Sequence, residues 1–313
     1  MSDIGTHDPT SPGTDAASDP PRHRHSVPLD AAQRGHGPYI WRFTAFQRWL
    51  HGLLMTSFFV LVLTGIPLRF SCAPFAPLLM RFWGGVENAG LIHRWAAAIM
   101  VSTFLAHVIT AARALYRAAD PMRLLWGRES IVPQPRDALD FVQQFRWFFG
   151  VGPRPEFGRF SYMEKFDYMA VFWGVFVIGG SGFMLWFPEF FARWLPGWLF
   201  NVATIVHGEE ALLATAFIFT IHFFNVHLRP DKFPLDAVMF TGRATLEYMH
   251  EEHSILAAGM VGIEHQPVST EPAHDLPAPP PSHRSTMFAT VFGFIAWGIG
   301  LAIIGMILWA VLC

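Results

Sequence analysis

The chain has 313 residues, of which 52% are hydrophobic and only 15% are charged, and its formal net charge is −2. Soluble domains carry about 25% charged residues, so this composition excludes an ordinary soluble domain and favours a membrane protein. The near-neutral charge and the lack of a basic patch exclude a nucleic-acid-binding protein. The two cysteines form neither a CxxCH motif nor a pair of CxxC motifs, which excludes c-type haem attachment and the usual zinc and iron–sulfur sites.

Taken in chain order, the sequence divides into a polar tail, four apolar spans, a proline-rich connection and a fifth span. Residues 1–38 are rich in Ser, Asp, Pro and Gly and lack the apolar core of a signal peptide, so we predict a disordered cytoplasmic tail. Five stretches are free of Asp, Glu, Lys and Arg for long enough to cross about 30 Å of hydrocarbon. These predicted spans are 49–68, 95–112, 168–188, 211–228 and 285–313.

The expected fold class is therefore all-α and integral to the membrane. Residues 39–255 are predicted to form a four-helix transmembrane domain. Residues 256–284, which hold most of the prolines near the C-terminus, are predicted to be a linker. Residues 285–313 are predicted to form a fifth, C-terminal transmembrane helix.

The charges of the connections set the expected orientation. Lys and Arg number five before the first span, nine in 113–165 and four in 229–284, whereas the remaining parts of the chain hold four. By the positive-inside rule the N-terminus is cytoplasmic and the C-terminus is outside. Within the inner connection, the amphipathic piece 138–150 predicts a helix on the inner leaflet. Cys72 and Cys313 are both expected outside, as free thiols rather than as a disulfide.

Six of the fifteen histidines lie within or at the ends of apolar runs. Ionisable side chains at membrane depth are costly, so we interpret these histidines as functional. His93 and His107 are fourteen residues apart, and His207 and His222 are fifteen apart. Both offsets are close to four helical turns, so each pair shares roughly one face with its members about 21 to 22 Å apart. The six residues are His51, His93, His107, His207, His222 and His227.

Two such helices facing each other would hold two stacked haems, each with its iron between two neutral imidazoles. Iron with six ligands transfers electrons and has no open position for a substrate. The second and fourth spans both start outside, which pairs His93 with His207 on the outer side. On the inner side His222 pairs with either His107 or His51, because the first span starts inside.

Other residues near these histidines have two interpretations each. His227 points about 140° away from His222 around the helix, and an alternative with a third haem uses His51 and His227. Arg48 and Arg94 could bind haem propionates, or could equally anchor the helix ends. Four glycines could make room for a porphyrin, although small residues are ordinary where membrane helices cross. They are Gly65, Gly179, Gly180 and Gly182.

These motifs resemble a known family. The stretches IHRWAAAIMVSTFLAH and HGEEALLATAFIFTIH resemble the histidine pairs of cytochrome b in bc-type complexes. The wider pattern is similar to the cytochrome b subunit, or gamma subunit, of formate dehydrogenase. The motifs that carry this resemblance cover residues 42–255 and are specific as a set: RFTAFQRWLHG, LVLTGIPLRF, LIHRWAAA, GRFSYMEKFDYMA, LWFPE, HGEEALLA and HFFNVHLRPDKFPLD.

The resemblance implies a four-helix di-haem core in a bacterial inner membrane, passing electrons between an outer partner and menaquinone or ubiquinone at the inner face. The partner would be another subunit of an oxidoreductase complex or a c-type cytochrome, and the substrate chemistry would take place there. It also implies that His51 and His222 hold the inner haem b and that His93 and His207 hold the outer one. The chain departs from the family pattern at His107, in the fifth helix and in the long linker.

A quinone site also needs groups that exchange protons. Candidates near the expected inner surface are Glu164, Lys165, Asp167, Asn225 and His227, although charges that stop a helix are the commoner explanation. Glu209 and Glu210 lie beside the outer histidine, His207. They could dock a positively charged partner or tune the outer haem, or they could simply begin a helix.

Two other functions are left open by the sequence. One is a quinone-independent transmembrane reductase, whose haem reduction would ignore quinone-site inhibitors. The other is a transporter or anchor subunit whose histidines bind a non-haem metal or relay protons, and it predicts a colourless protein.

Overall fold

The computed structural model describes residues 38–127, 129–260 and 275–312. The chain is mostly helical, at 73%, which confirms the helical part of the expected fold class. Five helices in the described ranges are long and apolar enough to cross a membrane. They are Ala45–Arg69, Val86–Arg117, Tyr162–Trp186, Trp198–Leu228 and His283–Leu312. Nearly all of the predicted tail lies outside the described residues.

The elements that precede the third of these helices are β1 (Tyr39–Trp41), α1 (Ala45–Arg69), α2 (Ala76–Phe82), α3 (Val86–Arg117), α4 (Pro121–Trp126) and α5 (Pro135–Phe148). The third consists of α6 (Tyr162–Gly174), the π-helical turn π1 (Val175–Gly179) and α7 (Gly180–Trp186). After α8 (Pro188–Phe191), the fourth consists of α9 (Trp198–Phe217), π2 (Ile218–His222) and π3 (Phe224–Leu228). The remaining elements are α10 (Val238–Thr241), β2 (Arg243–Thr245), α11 (Leu246–Glu252), α12 (Ser254–Ala258), β3 (Pro277–Ala278) and α13 (His283–Leu312).

Local sequence fixes the starts of two membrane-length helices. The Thr44 side chain accepts a hydrogen bond from the backbone N–H of Gln47, and the Gln47 side chain accepts one from the backbone N–H of Thr44. Ser161 and Glu164 form the same reciprocal capping box at the start of α6. Each box satisfies backbone donors that a helix leaves unpaired at its first turn.

The fourth membrane-length helix begins at Trp198, well before the predicted residue 211. Glu209 and Glu210 therefore lie inside α9. Glu209 forms an ion pair with Arg69 at the end of α1, and Glu210 accepts a hydrogen bond from the indole N–H of Trp173 at 3.1 Å. The interpretation that these acids begin a helix is wrong, because α9 starts eleven residues before Glu209. Arg69 and Trp173 of neighbouring helices bind the two carboxylates inside it.

A core shared by three helices holds the fifth helix against the others. It buries Val62 of α1, Phe219 and Phe223 of the fourth membrane-length helix, and Ile303 of α13. A Cβ atom added at Gly300 on α13 would lie 2.8 Å from the ring of Phe223. Since interiors are packed this closely, α13 is part of the helical assembly and not a separate anchor beside it.

Three short strands form an antiparallel sheet in the order β2–β1–β3. Trp41 pairs with Arg243 across β1 and β2, and Tyr39 pairs with Ala278 across β1 and β3. The all-α prediction omitted this sheet because strands of two or three residues are too short to show an alternating pattern. β3 falls within the predicted linker 256–284, the middle of which lies outside the described residues.

Candidate functional site

His93 on α3 and His207 on α9 face each other, with ring centroids 6.2 Å apart. Nδ1 of His207 lies 2.9 Å from the carbonyl oxygen of Ile178, and because a carbonyl can only accept, this Nδ1 carries the proton. Nδ1 of His93 lies 2.8 Å from the hydroxyl oxygen of Thr64. That hydroxyl already donates to the carbonyl of Val60 at 2.6 Å, so it accepts from His93. Both rings are therefore left with an unprotonated Nε2, the form that binds metal ions.

The spacing of the two rings fits a single metal ion between them. A metal–imidazole bond is about 2 Å long and the ring centre lies about 1 Å further on, so two imidazoles on opposite sides of one ion have centroids about 6 Å apart. The observed separation is 6.2 Å. Metal-binding histidines also use their other ring nitrogen to hydrogen-bond a neighbour, which fixes the ring. The two imidazoles and the separation of their rings fit an iron porphyrin, which His93 and His207 would hold.

Two glycines lie directly against these rings. A Cβ atom at Gly182 would be 2.8 Å from Cε1 and 3.1 Å from Nδ1 of His207. A Cβ atom at Gly65 would be 3.5 Å from Cε1 of His93, which is an ordinary contact. At Gly180 a Cβ atom would meet no atom within 4 Å. Of these glycines, Gly182 is the one at which any side chain would push an imidazole out of position.

The hydrogen-bond acceptor for His207 comes from a π-helical turn. Ile178 lies within π1, where the backbone hydrogen bonds run five residues apart instead of four. Such turns are often found at functional sites, because they shift carbonyl groups out of the regular helical pattern. Here the shifted carbonyl of Ile178 accepts from an imidazole of the next helix.

Another histidine, His222, lies further along the helix that carries His207. His222, at the end of π2, is within electrostatic range of His51 on α1. Nδ1 of His222 lies 2.9 Å from Oδ2 of Asp167 on α6. A carboxylate that accepts from Nδ1 fixes the tautomer and leaves Nε2 available, as in carboxylate–histidine–metal sites. Among the described residues, none forms a hydrogen bond with the His51 ring.

The structure brings His107 to a different partner. Nε2 of His107 lies 2.9 Å from the hydroxyl oxygen of Tyr168 on α6, so the nitrogen that would bind iron is occupied by a phenol. His227 is buried in π3, and its Nδ1 lies 2.9 Å from the carbonyl oxygen of Pro234. His107 and His222 thus have different partners on α6, Tyr168 and Asp167.

Several residues suggested for proton exchange have structural partners. Lys165 is buried and donates to Asp137 at 2.8 Å. Glu164 closes the capping box with Ser161. Asn225 donates to a backbone carbonyl one turn earlier in its own helix. Asp167 is the exception, since it contacts a candidate haem ligand.

The two arginines suggested for propionates lie at opposite ends of the candidate site. Arg94 is exposed and follows His93 on α3. Arg48 donates from Nη1 to the carbonyl oxygen of Phe240 at 2.8 Å, and its buried Nε has no hydrogen-bond partner. Within residues 38–127, 129–260 and 275–312, neither arginine forms an ion pair with a carboxylate.

An ion-pair network fastens the chain that follows the fourth membrane-length helix. Glu252 accepts hydrogen bonds from Arg229 at 2.7 Å and from Arg154 at 3.2 Å. Burial alone would raise the pKa of Glu252, but the hydrogen bonds from Arg229 and the charges of Lys232, Arg229 and Arg154 outweigh it and lower the pKa to about 2. The carboxylate is therefore ionised throughout the neutral range and holds the segment after the helix in place.

Four partners of the histidines were not predicted from the sequence, namely Thr64, Tyr168 and the carbonyls of Ile178 and Pro234. Thr64 lies in the motif LVLTGIPLRF, but nothing in that apolar stretch marks it as a partner of a histidine, and a backbone carbonyl has no sequence signal at all. Groups of three or more His, Cys, Asp or Glu side chains that could hold a bare metal ion do not occur in the described part of the chain. Comparison with family models and with curated proteins finds no match for this chain.

Proposed function

We propose that this chain is a membrane b-type cytochrome that carries electrons across the bilayer. In this proposal His93 and His207 hold an outer haem b, and His51 and His222 hold an inner one. An outer dehydrogenase subunit or c-type cytochrome and the quinone pool at the inner face are the two redox partners. The observation that carries the proposal is the 6.2 Å separation of the His93 and His207 rings, each with Nδ1 bonded and Nε2 unprotonated.

In this function the protein would fix the depth of each haem in the membrane and the orientation of its imidazole ligands. His207 and His222 are fifteen residues apart, or about 22 Å along a helix, so one helix supplies a ligand at each of two depths. Hydrogen bonds donated by Nδ1 to the Thr64 hydroxyl, the Ile178 carbonyl and the Asp167 carboxylate hold three of the four imidazoles in the tautomer that would bind iron. Haem b, when bound, supplies reversible one-electron transfer. Because histidines of this chain would supply both protein ligands of each haem iron, the substrate chemistry would take place on the partner.

Haem counting on single-histidine variants tests the proposal. The purified protein, made in cells with ample haem, should show a b-type reduced-minus-oxidised spectrum with two haems per chain. His51→Ala should remove one haem. His107→Ala is the matched control, because it removes another intramembrane imidazole, and it should keep both. A colourless wild-type protein would overturn the proposal, and loss of haem in the His107 variant with retention in the His51 variant would overturn the inner pairing.

Two further measurements separate the alternatives. A reduced quinone analogue added to membranes should reduce the haems, and quinone-site inhibitors should block that reduction. If the haems respond only to an outer reductant or acceptor and ignore the inhibitors, the chain is a quinone-independent transmembrane reductase. A count of three haems that drops with His227→Ala would instead support the third-haem alternative.

A further inference from the structure

Two arginine side chains, those of Arg48 and Arg243, lie close together beside the start of α1. Arg243 opens β2, directly after the turn that ends α10. Arg48 lies in the first turn of α1 and donates to the carbonyl of Phe240. Arg243 is the first residue of β2, and its guanidinium lies 4.4 Å from the ring centroid of Trp41. The Nε atoms of both arginines are buried, and neither has a hydrogen-bond partner.

The two positive charges lie close enough to repel each other. A Cβ atom at Gly242, the residue before Arg243, would lie 3.1 Å from Nε of Arg48. Burial and, after it, the charge of Arg48 lower the pKa of Arg243. In the part of the chain that the structure describes, neither guanidinium has an ion pair with Asp or Glu. A buried donor without a partner costs about 1–3 kcal/mol, so an anion bound here would relieve both the repulsion and the missing hydrogen bonds.

The short sheet holds Arg243 in this position. Arg243 pairs with Trp41 in the register of β1 and β2, and the backbone N–H groups of Arg42 and Phe43 both donate to the carbonyl of Gly242, at 2.8 and 3.1 Å. Gly242 has a φ of 75°, a conformation that other residues rarely adopt. The chain is therefore built to turn sharply beside Arg48.

We propose that Arg48 and Arg243 bind a carboxylate, a propionate of the haem held between His51 and His222. This inference rests on the proposed function. Arg48 precedes His51 by three residues on α1, so the two side chains share a face of the helix. Arginine forks bind carboxylates through paired charge-assisted hydrogen bonds. The phosphate of an anionic lipid offers the same oxygen chemistry, and the experiment separates the two sources.

Arg243→Gln in the full chain is the main test, with Arg154→Gln as the matched control, since Arg154 is another arginine outside the membrane helices but bonds to Glu252. We expect Arg243→Gln to speed transfer of one haem to apomyoglobin at least about tenfold and to make the midpoint potential of that haem more negative. The control should leave both properties unchanged. Arg243→Lys keeps the charge and should restore the potential, while haem transfer remains faster than in the wild type.

Each outcome has a distinct meaning. Unchanged haem transfer and unchanged potentials in a two-haem Arg243→Gln protein would overturn this inference and leave the proposed function standing. Unchanged haem properties with loss of co-purifying phospholipid phosphate would also overturn it, in favour of a lipid. A wild-type protein without haem would overturn both proposals. If Arg243→Gln fails to fold, Arg48→Gln perturbs the same site from α1 and must show the same faster transfer.

Discussion

Replacing Gly182 by alanine tests whether His207 binds iron in the orientation described here. The added methyl carbon would lie 2.8 Å from Cε1 of His207, whereas ordinary contacts begin at 3.4 Å. The imidazole must therefore move by about half an ångström in a tightly packed region. It cannot do so freely, because its Nδ1 is bonded to the carbonyl of Ile178 at 2.9 Å.

The expected cost follows from these contacts. Overpacking of this kind costs about 1–3 kcal/mol, and weakening of the Nδ1 hydrogen bond adds about 0.5–1.5 kcal/mol. Alanine is a better helix former than glycine by up to about 1 kcal/mol, which offsets part of the loss. We expect Gly182→Ala to weaken retention of the haem between His93 and His207 by about 10- to 100-fold, since about 1.4 kcal/mol corresponds to a factor of ten.

Haem stoichiometry, low-temperature spectra and redox titration of the purified variant measure this effect. Gly65→Ala and Gly180→Ala are the controls, because their methyl groups would meet His93 at 3.5 Å and no atom within 4 Å, respectively. Both should keep two haems with wild-type midpoint potentials. A Gly182→Ala protein with two haems, unchanged spectra and unchanged potentials would refute the placement of His207 as an axial ligand.

Three further substitutions test two partners of the histidines and the ion-pair network of Glu252. Thr64→Val removes the acceptor for His93 without changing the size of the side chain, and it should weaken haem retention about 10- to 100-fold; transfer to apomyoglobin measures it. Asp167→Asn removes a negative charge next to His222. Loss of this charge favours reduced iron, so one midpoint potential should rise in redox titrations while two haems remain. A potential that stays fixed would contradict the contact between Asp167 and a haem ligand. Glu252→Gln should lower thermal stability at neutral pH by up to about 3 kcal/mol. A depressed pKa of about 2 contributes stability above the ordinary pKa, so the difference between wild type and variant should shrink in melts as the pH falls from about 5 towards 2.

The membrane-crossing helices could be predicted from the sequence because hydropathy over about 20 residues is a property of the segment itself. Their ends could not. The charge-free window for the fourth span begins only after Glu210, yet the helix extends back to Trp198. The helix can include these two acids because Glu209 pairs with Arg69 and Glu210 with Trp173. Both partners lie on neighbouring helices, so the local sequence does not predict these contacts.

The candidate site shows the same division between local and tertiary information. Helical spacing selects the histidines but left two partners for His222, because spacing along one helix does not say which helix lies next to it. The structure places the hydroxyl of Tyr168 against His107 and the carboxylate of Asp167 against His222. A phenol on a third helix that occupies one imidazole cannot be predicted from the position of that imidazole alone.

The third membrane-length helix has no histidine, yet it accepts hydrogen bonds from two of the three histidines of the fourth, His207 and His222. Asp167 on α6 accepts from Nδ1 of His222, and the Ile178 carbonyl in π1 accepts from Nδ1 of His207. Because Nδ1 and Nε2 lie on opposite sides of an imidazole ring, anchoring both rings to the third helix by Nδ1 turns both Nε2 atoms away from it. The facing histidines then have to come from other helices, and His93 on α3 is the one found opposite His207. One of these anchors is a charged carboxylate and the other a neutral carbonyl. If two haems are bound, the fold therefore gives them unequal ligand environments and, by the charge argument made for Asp167→Asn, the lower potential belongs to the haem at His222.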